Sequence, residues 1–264
     1  MKKPVLLLIV SLLVIPLLGH EFWLQPEKFI YQRGEPINFR FWVGENFEGE
    51  NWSGNHDKIN SLRLYLGNVW DDLADQVSDE KGDSIQLGIY DEGTAMVTFN
   101  SNNSFIQLEA EKFNTYLKED GLNDALIFRT DHKELDSVGR EYYQRSVKTL
   151  VQVGTAIENI SHPTALPLDI VPLCNPYSLQ KDDSLRISVY FKKQLLKSQL
   201  LKVWHRVGEQ MIKEEFTTDE NGQCSLFILP TGKWMISTVK MIRLENDQQA
   251  NWQSYWGSCT WGYE

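Results

Sequence analysis

Cysteine is scarce: the 264 residues hold three, Cys174, Cys224 and Cys259. Their long spacings fit no zinc framework and allow at most one disulfide, with a thiol left over. Histidine is little more frequent, with His20, His56, His132, His162 and His205. No two of them stand at helical i, i+4 or H-x-H spacing, so a metal site would have to assemble from distant segments. Positive charge is short as well. Lys plus Arg is 26 against 36 for Asp plus Glu, a formal net charge of −10. That deficit excludes a general nucleic-acid binder, which needs a cationic surface, and excludes adsorption to anionic lipid by charge alone. No apolar run reaches the roughly 20 residues of a membrane-spanning helix; the longest, residues 4–18, is about 15 long and is interrupted by Ser11 and Pro16. Internal repeats, low-complexity tracts and long linkers are missing. So are a nucleophile elbow, a phosphate loop and a zinc-protease helix, and the chain is read as non-enzymatic.

The first residues carry the layout of a secretory signal peptide. Lys2 and Lys3 form a basic head, the apolar run follows, and Gly19-His20 leads abruptly into Glu21-Phe22-Trp23. Cleavage after Gly19 is expected, with a periplasmic or otherwise exported product and no membrane insertion once residues 1–19 are gone. Their removal takes two lysines and no acid, so −10 becomes −12. It also makes His20 the first residue. A free α-amino group and an imidazole on one residue can chelate a metal ion without help from the fold, and imidazole suits nickel, copper, cobalt and zinc.

The hydrophobic content of 42% and charged content of 23% are those of a globular chain, and the length suits one large domain or two small ones. Period-2 alternation predicts strands over 37–43, 61–66, 95–99 and 185–191, and further strands over 200–204, 214–218, 224–229, 234–242 and 252–263. Residues 141–153 also alternate, with helix as the alternative for their first half. One helix is predicted over 108–119, where Ala110, Phe113, Tyr116 and Leu117 recur at three- and four-residue spacing and Gly121 supplies a stop. Pro163, Pro167, Pro172 and Pro176 mark an extended crossing, which places a domain boundary near Pro176. Two domains are therefore expected, 20–175 and 176–264, both mainly β. Trp234, Trp252, Trp256 and Trp261 crowd the last segment and are read as core.

Six stretches in order make the chain recognisable. They are His20-Glu21-Phe22-Trp23-Leu24-Gln25-Pro26, Gly44-Glu45-Asn46-Phe47-Glu48-Gly49-Glu50, residues 112–122, residues 140–150, Gly232-Lys233-Trp234-Met235-Ile236 and Asn251-Trp252-Gln253-Ser254-Tyr255-Trp256. Together they resemble the bacterial envelope proteins grouped as domain of unknown function 4198, a group linked to the periplasmic component of nickel or cobalt uptake. The resemblance implies two β-sandwich-like domains, the N-terminal one with a helical insertion and the C-terminal one transthyretin-like or carboxypeptidase-regulatory-like. It implies a periplasmic, non-enzymatic binding protein for nickel or cobalt, with an envelope uptake transporter as partner and nickel, cobalt or copper as the bound ion. His20 is the first metal ligand expected, and His132, beside Asp131 as a possible orienting carboxylate, the second. Lys240 departs from the pattern, standing where relatives carry a histidine. The turn at Lys192-Lys193 lacks the expected glycine and proline. Glu141 and Arg145 share one face of a strand and Lys148 the other, which is read as structural pairing through an Arg–carboxylate fork. The alternative function is an envelope scaffold or a glycan- or protein-binding module without metal.

Overall fold

The structure is a computed structural model that describes residues 20–78 and 81–264. The expected leader, residues 1–19, lies outside the described residues. In chain order the elements begin with β1 (Glu21–Pro26), β2 (Ile30–Tyr31), β3 (Pro36–Glu45), β4 (Glu48–Asn51), β5 (Ile59–Leu66) and β6 (Val69–Asp72). β7 (Ser84–Gly88), β8 (Gly93–Ser101) and β9 (Ser104–Leu108) lead into two helices, α1 (Ala110–Glu119) and α2 (Asn123–Asp131). Then come β10 (Gly139–Val153), β11 (Leu168–Pro172), β12 (Ser184–Phe191), β13 (Gln194–Leu195) and β14 (Leu200–Val207). β15 (Gln210–Thr217), β16 (Gln223–Phe227), β17 (Lys233–Arg243) and β18 (Trp252–Gly262) complete the set. The chain is mainly β with a short helical insertion.

The strands form three sheets. The central one runs β15-β14-β17-β18-β10-β8-β5-β6, with β2 and β9 also paired to β10. Its seam is β10 beside β18, a parallel pairing from Glu141↔Trp252 to Thr149↔Thr260. One outer sheet holds β1, β3, β4 and β7, the other β11, β12, β13 and β16. The expected division near Pro176 falls between β11 and β12, and these two pair with each other across it, Ile170 opposite Val189.

Side-chain alternation decides which outer sheet covers which face. Ala95, Val97 and Phe99 of β8 and Val147, Val151 and Val153 of β10 join Phe22, Leu24, Phe39 and Phe41 in a first core. Met96 and Leu150, of the opposite parity on the same strands, join Ile170, Ile187, Val189 and Trp261 in a second. β8 is buried at all nine positions because both of its faces are covered. The central sheet is thus shared by two sandwiches that lie on its opposite faces.

The helical insertion covers the first face farther along. Phe113, Tyr116 and Leu117 of α1 pack on Val239, Met241 and Trp252. α1 stops at Gly121, which takes φ +65°, a conformation open to a residue without a Cβ. Gly139, at the start of β10, lets the helix approach: a Cβ there would meet the Phe113 ring at 2.1 Å. The turn between β12 and β13 forms without glycine, because Lys192 and Lys193 themselves adopt φ of 48° and 69°.

All three cysteines are free. Cys224 sits opposite Ile187 of β12, while Cys174 follows β11 on the other side of that strand. Two strand spacings, about 9–10 Å, separate the flanking strands, too far for a disulfide.

Candidate functional site

The first face of the central sheet carries ionisable groups where α1 and the start of β1 meet it. Alternation along β10 brings Glu141, Tyr143 and Arg145 to this face, and the register adds Ser254 and Trp256 from β18. Ser237 of β17 and Lys202 of β14 extend the row. From above come Tyr116 and Asp120 of the α1 end and Glu21 of β1.

Glu141 is 2% exposed. Its Oε1 accepts from the Ser254 hydroxyl and from Tyr116 OH at 3.2 Å, and the Trp256 Nε1–H donates to Ser254 Oγ at 3.0 Å. Tyr116 stacks on Trp256 with centroids 5.8 Å apart. Glu141 Oε2 has no partner. Burial pushes the carboxyl up to about 7, against the opposing pull of the Ser254 and Tyr116 hydrogen bonds. Glu21 is also buried and also pushed up to about 7 by burial, with its own backbone N–H and Lys202 acting the other way. Ser237 Oγ reaches Glu21 Oε1 at 3.5 Å, and Oε2 is again unpartnered. Lys202 pairs with Asp120 at 2.5 Å. Burial works against the Lys202 charge, but Asp120 outweighs it and raises the ammonium pKa.

Arg145, half-buried, is the end of this row that borders a cleft. Its Nη1–H donates to the His20 carbonyl at 3.2 Å, and its guanidinium lies over the rings of Phe22 and Tyr143 at 5.2 and 5.7 Å. Among the described residues no carboxylate forms an ion pair with it. The expected Arg–carboxylate fork is therefore not formed. The ion pair that locks β10 is on the other face, where Lys148 meets Asp169 at 2.5 Å with both side chains at most 1% exposed. Lys148 also donates to the Ile170 carbonyl at 3.0 Å, and the second Asp169 oxygen takes the Thr164 N–H at 2.6 Å and hydroxyl at 2.9 Å. Cys259, in register with Lys148, has its thiol pushed up to about 12 by burial and is inert as a nucleophile.

The two histidines expected as ligands occupy different places. His20, half-buried at the entry to β1, has a buried Nδ1 without a partner. His132 caps α2 in solvent, its ring stacked on Phe128 at 3.8 Å and its Nδ1 at 2.8 Å from the Phe128 carbonyl. The ring is thus oriented by that carbonyl, not by Asp131. His205 stacks on Trp234 at 3.9 Å, with Nε2 at 2.9 Å from the Thr231 carbonyl. Among the described residues no three His, Cys, Asp or Glu side chains are grouped as a metal site. Lys240 lies on the opposite parity of β17 from Ser237, so it does not face Glu21; it pairs with Asp124 at 3.6 Å. The Tyr116–Glu141–Ser254–Trp256 network and the Lys202–Asp120 pair escaped sequence reasoning. Their one local signal is the alternation of Ser254, Trp256 and Ser258 along β18, a polar row set into a buried strand.

Of two clefts in the surface, the smaller adjoins this row. The larger, about 760 Å³, has Phe29, Trp42, Phe47, Arg206 and Lys233 in its wall. The smaller, about 340 Å³, has Arg145 in its wall. No described helix is long and apolar enough to cross a membrane.

A central sheet shared by two sandwiches, with an ionisable row under a helical insertion, defines a layered β module. The chain belongs to the family described as Domain of unknown function (DUF4198), which matches over residues 17–241. That match runs through Pro176 and ends inside β17. Among curated proteins none matches. Among solved structures, the fibronectin(III)-like modules of Clostridium thermocellum CbhA are 9% identical, covering 90% of this chain and 94% of theirs at a TM-score of 0.22. The chicken CNTN1 FN1–FN3 domains are 7% identical, covering 88% of this chain and 62% of theirs at 0.21. A Salmonella alpha-2-macroglobulin variant is 10% identical, covering 93% of this chain and 15% of its own at 0.24. Those scores are too low to define a shared fold.

Proposed function

We propose that the chain is an exported, periplasmic, non-enzymatic binding module that holds a divalent transition metal, nickel or cobalt foremost, at His20 and delivers it to an envelope uptake transporter. The observation that carries this reading is the buried, unpartnered His20 Nδ1, beside a backbone carbonyl held by Arg145. With residues 1–19 removed, the α-amino group of His20 would join that nitrogen as a two-nitrogen chelate, a donor set suited to nickel, cobalt or copper. His132, the second ligand expected, stands in solvent at the end of α2 with its Nδ1 at the Phe128 carbonyl, which leaves Nε2 as its donor; the grip proposed here is built on His20. The C-terminal sandwich is taken as transthyretin-like or carboxypeptidase-regulatory-like on the same reading.

Calorimetric titration of nickel, cobalt and copper into protein beginning at His20, with the N-terminus verified by mass spectrometry, tests the proposal. Micromolar binding that disappears in His20→Ala and after acetylation of the α-amino group is the expected result. Affinity unchanged by either treatment refutes it. A second reading, a glycan- or protein-binding scaffold without metal, draws on the 760 Å³ cleft with Phe29, Trp42 and Phe47 in its wall. Glycan binding that persists in metal-free protein favours that reading.

A further inference from the structure

We infer that the 340 Å³ cleft beside Arg145 binds a small organic acid, with the carboxylate on the guanidinium and an apolar or aromatic body against Trp52 and Tyr143. The first ground is an unanswered charge. Arginine has five N–H donors, and a guanidinium withdrawn from water is ordinarily paired with an acid. Arg145 gives one donor to the His20 carbonyl, and among the described residues no other acceptor takes the guanidinium. Its flanks are the rings of Phe22 and Tyr143, which leave the remaining donors toward the cleft that Arg145 lines.

The second ground is the make-up of the wall. Lys58, exposed and without an ion pair among the described residues, is a second cation there, and Asn51 and Ser104 add polar groups. Glu50 is the acid in the wall and has no ion pair among the described residues. One desolvated guanidinium matches the two oxygens of a carboxylate. A phosphate dianion would want more donors and, with its second charge, would meet more repulsion from Glu50 than a carboxylate does. Trp52, half-buried, is packed on its inner side against Phe22, Phe41 and Phe99 at 5.4–6.1 Å and contributes to the cleft wall with the rest of its surface. Aromatic rings and a guanidinium in one cleft wall suit a ligand with one anionic end and one apolar end.

The inference does not depend on metal at His20, and it is tested on protein freed of metal with a chelating resin, since soluble chelators are themselves carboxylates. Benzoate, acetate and inorganic phosphate are titrated separately by calorimetry. Benzoate is expected to bind more tightly than acetate, and acetate more tightly than phosphate. Arg145→Gln should weaken benzoate about tenfold or more, and Lys58→Gln about two- to threefold. Should Arg145→Gln fail to fold, the ¹⁵N resonance of Arg145 Nε in the unaltered protein decides, because benzoate must shift it. Benzoate affinity unchanged in folded Arg145→Gln, an Nε resonance that does not move, or phosphate binding more tightly than benzoate overturns the assignment.

Discussion

Arg145 and Lys148 lie three residues apart on β10 and carry the same charge to opposite faces of the central sheet. Lys148 is sealed. It meets Asp169 and a main-chain carbonyl, and Asp169 is in turn held by Thr164. Arg145 has aromatic flanks, one carbonyl and no acid, and it borders open space. The acids on its face, Glu21 and Glu141, each keep an oxygen without a partner, while Asp120 is paired with Lys202. A buried ion that is fully answered within the chain serves the fold alone. An ion left partly unanswered keeps capacity for something outside the chain, and here that capacity is concentrated on one face.

The largest effect should come from breaking the sealed pair. Lys148→Met leaves Asp169 buried without its cation and is expected to cost about 3–5 kcal/mol, read from the urea midpoint. A loss no greater than that of a surface pair would erase the contrast between the faces. Next comes pH. Glu141 is raised from 4.5 to about 7, so the folded state holds its proton more tightly than the unfolded state does. That contribution is fully present below pH 4.5 and is lost as pH rises through 7, about 3 kcal/mol between pH 4.5 and 8. Glu141→Gln should remove about half of the slope in this window, because Glu21 is raised over the same range, and an unchanged slope would show that Glu141 does not titrate there. Arg145→Gln should alter stability by only about 1 kcal/mol, in contrast to Lys148→Met, because no buried acid is stranded. A much larger loss would make Arg145 a structural residue after all. The smallest effects belong to the histidines. His20→Ala and His132→Ala should each change stability by about 0.5 kcal/mol or less, with only the former altering nickel affinity.

Much of the strand content was legible where a strand buries one face more than the other. The alternation in β3, β5 and β12 reports it directly, and α1 showed its apolar stripe and its stop. α2 did not, because only Ala125 and Arg129 are buried in it and no stripe forms. β11 hid among prolines; it is an edge strand that ends at Pro172, where a missing N–H is tolerated. The shared face of Glu141 and Arg145 was readable from spacing alone. Their partners were not, since Tyr116 and Ser254 come from segments that only the tertiary register brings to β10.

The β10–β18 seam has a consequence for how the chain acquires its shape. Residues 252–260 must slot between two strands already separated from them in sequence, Glu141–Thr149 on one side and Lys233–Arg243 on the other. The central sheet cannot close until that late stretch arrives, and contacts of such long sequence range make for slow assembly.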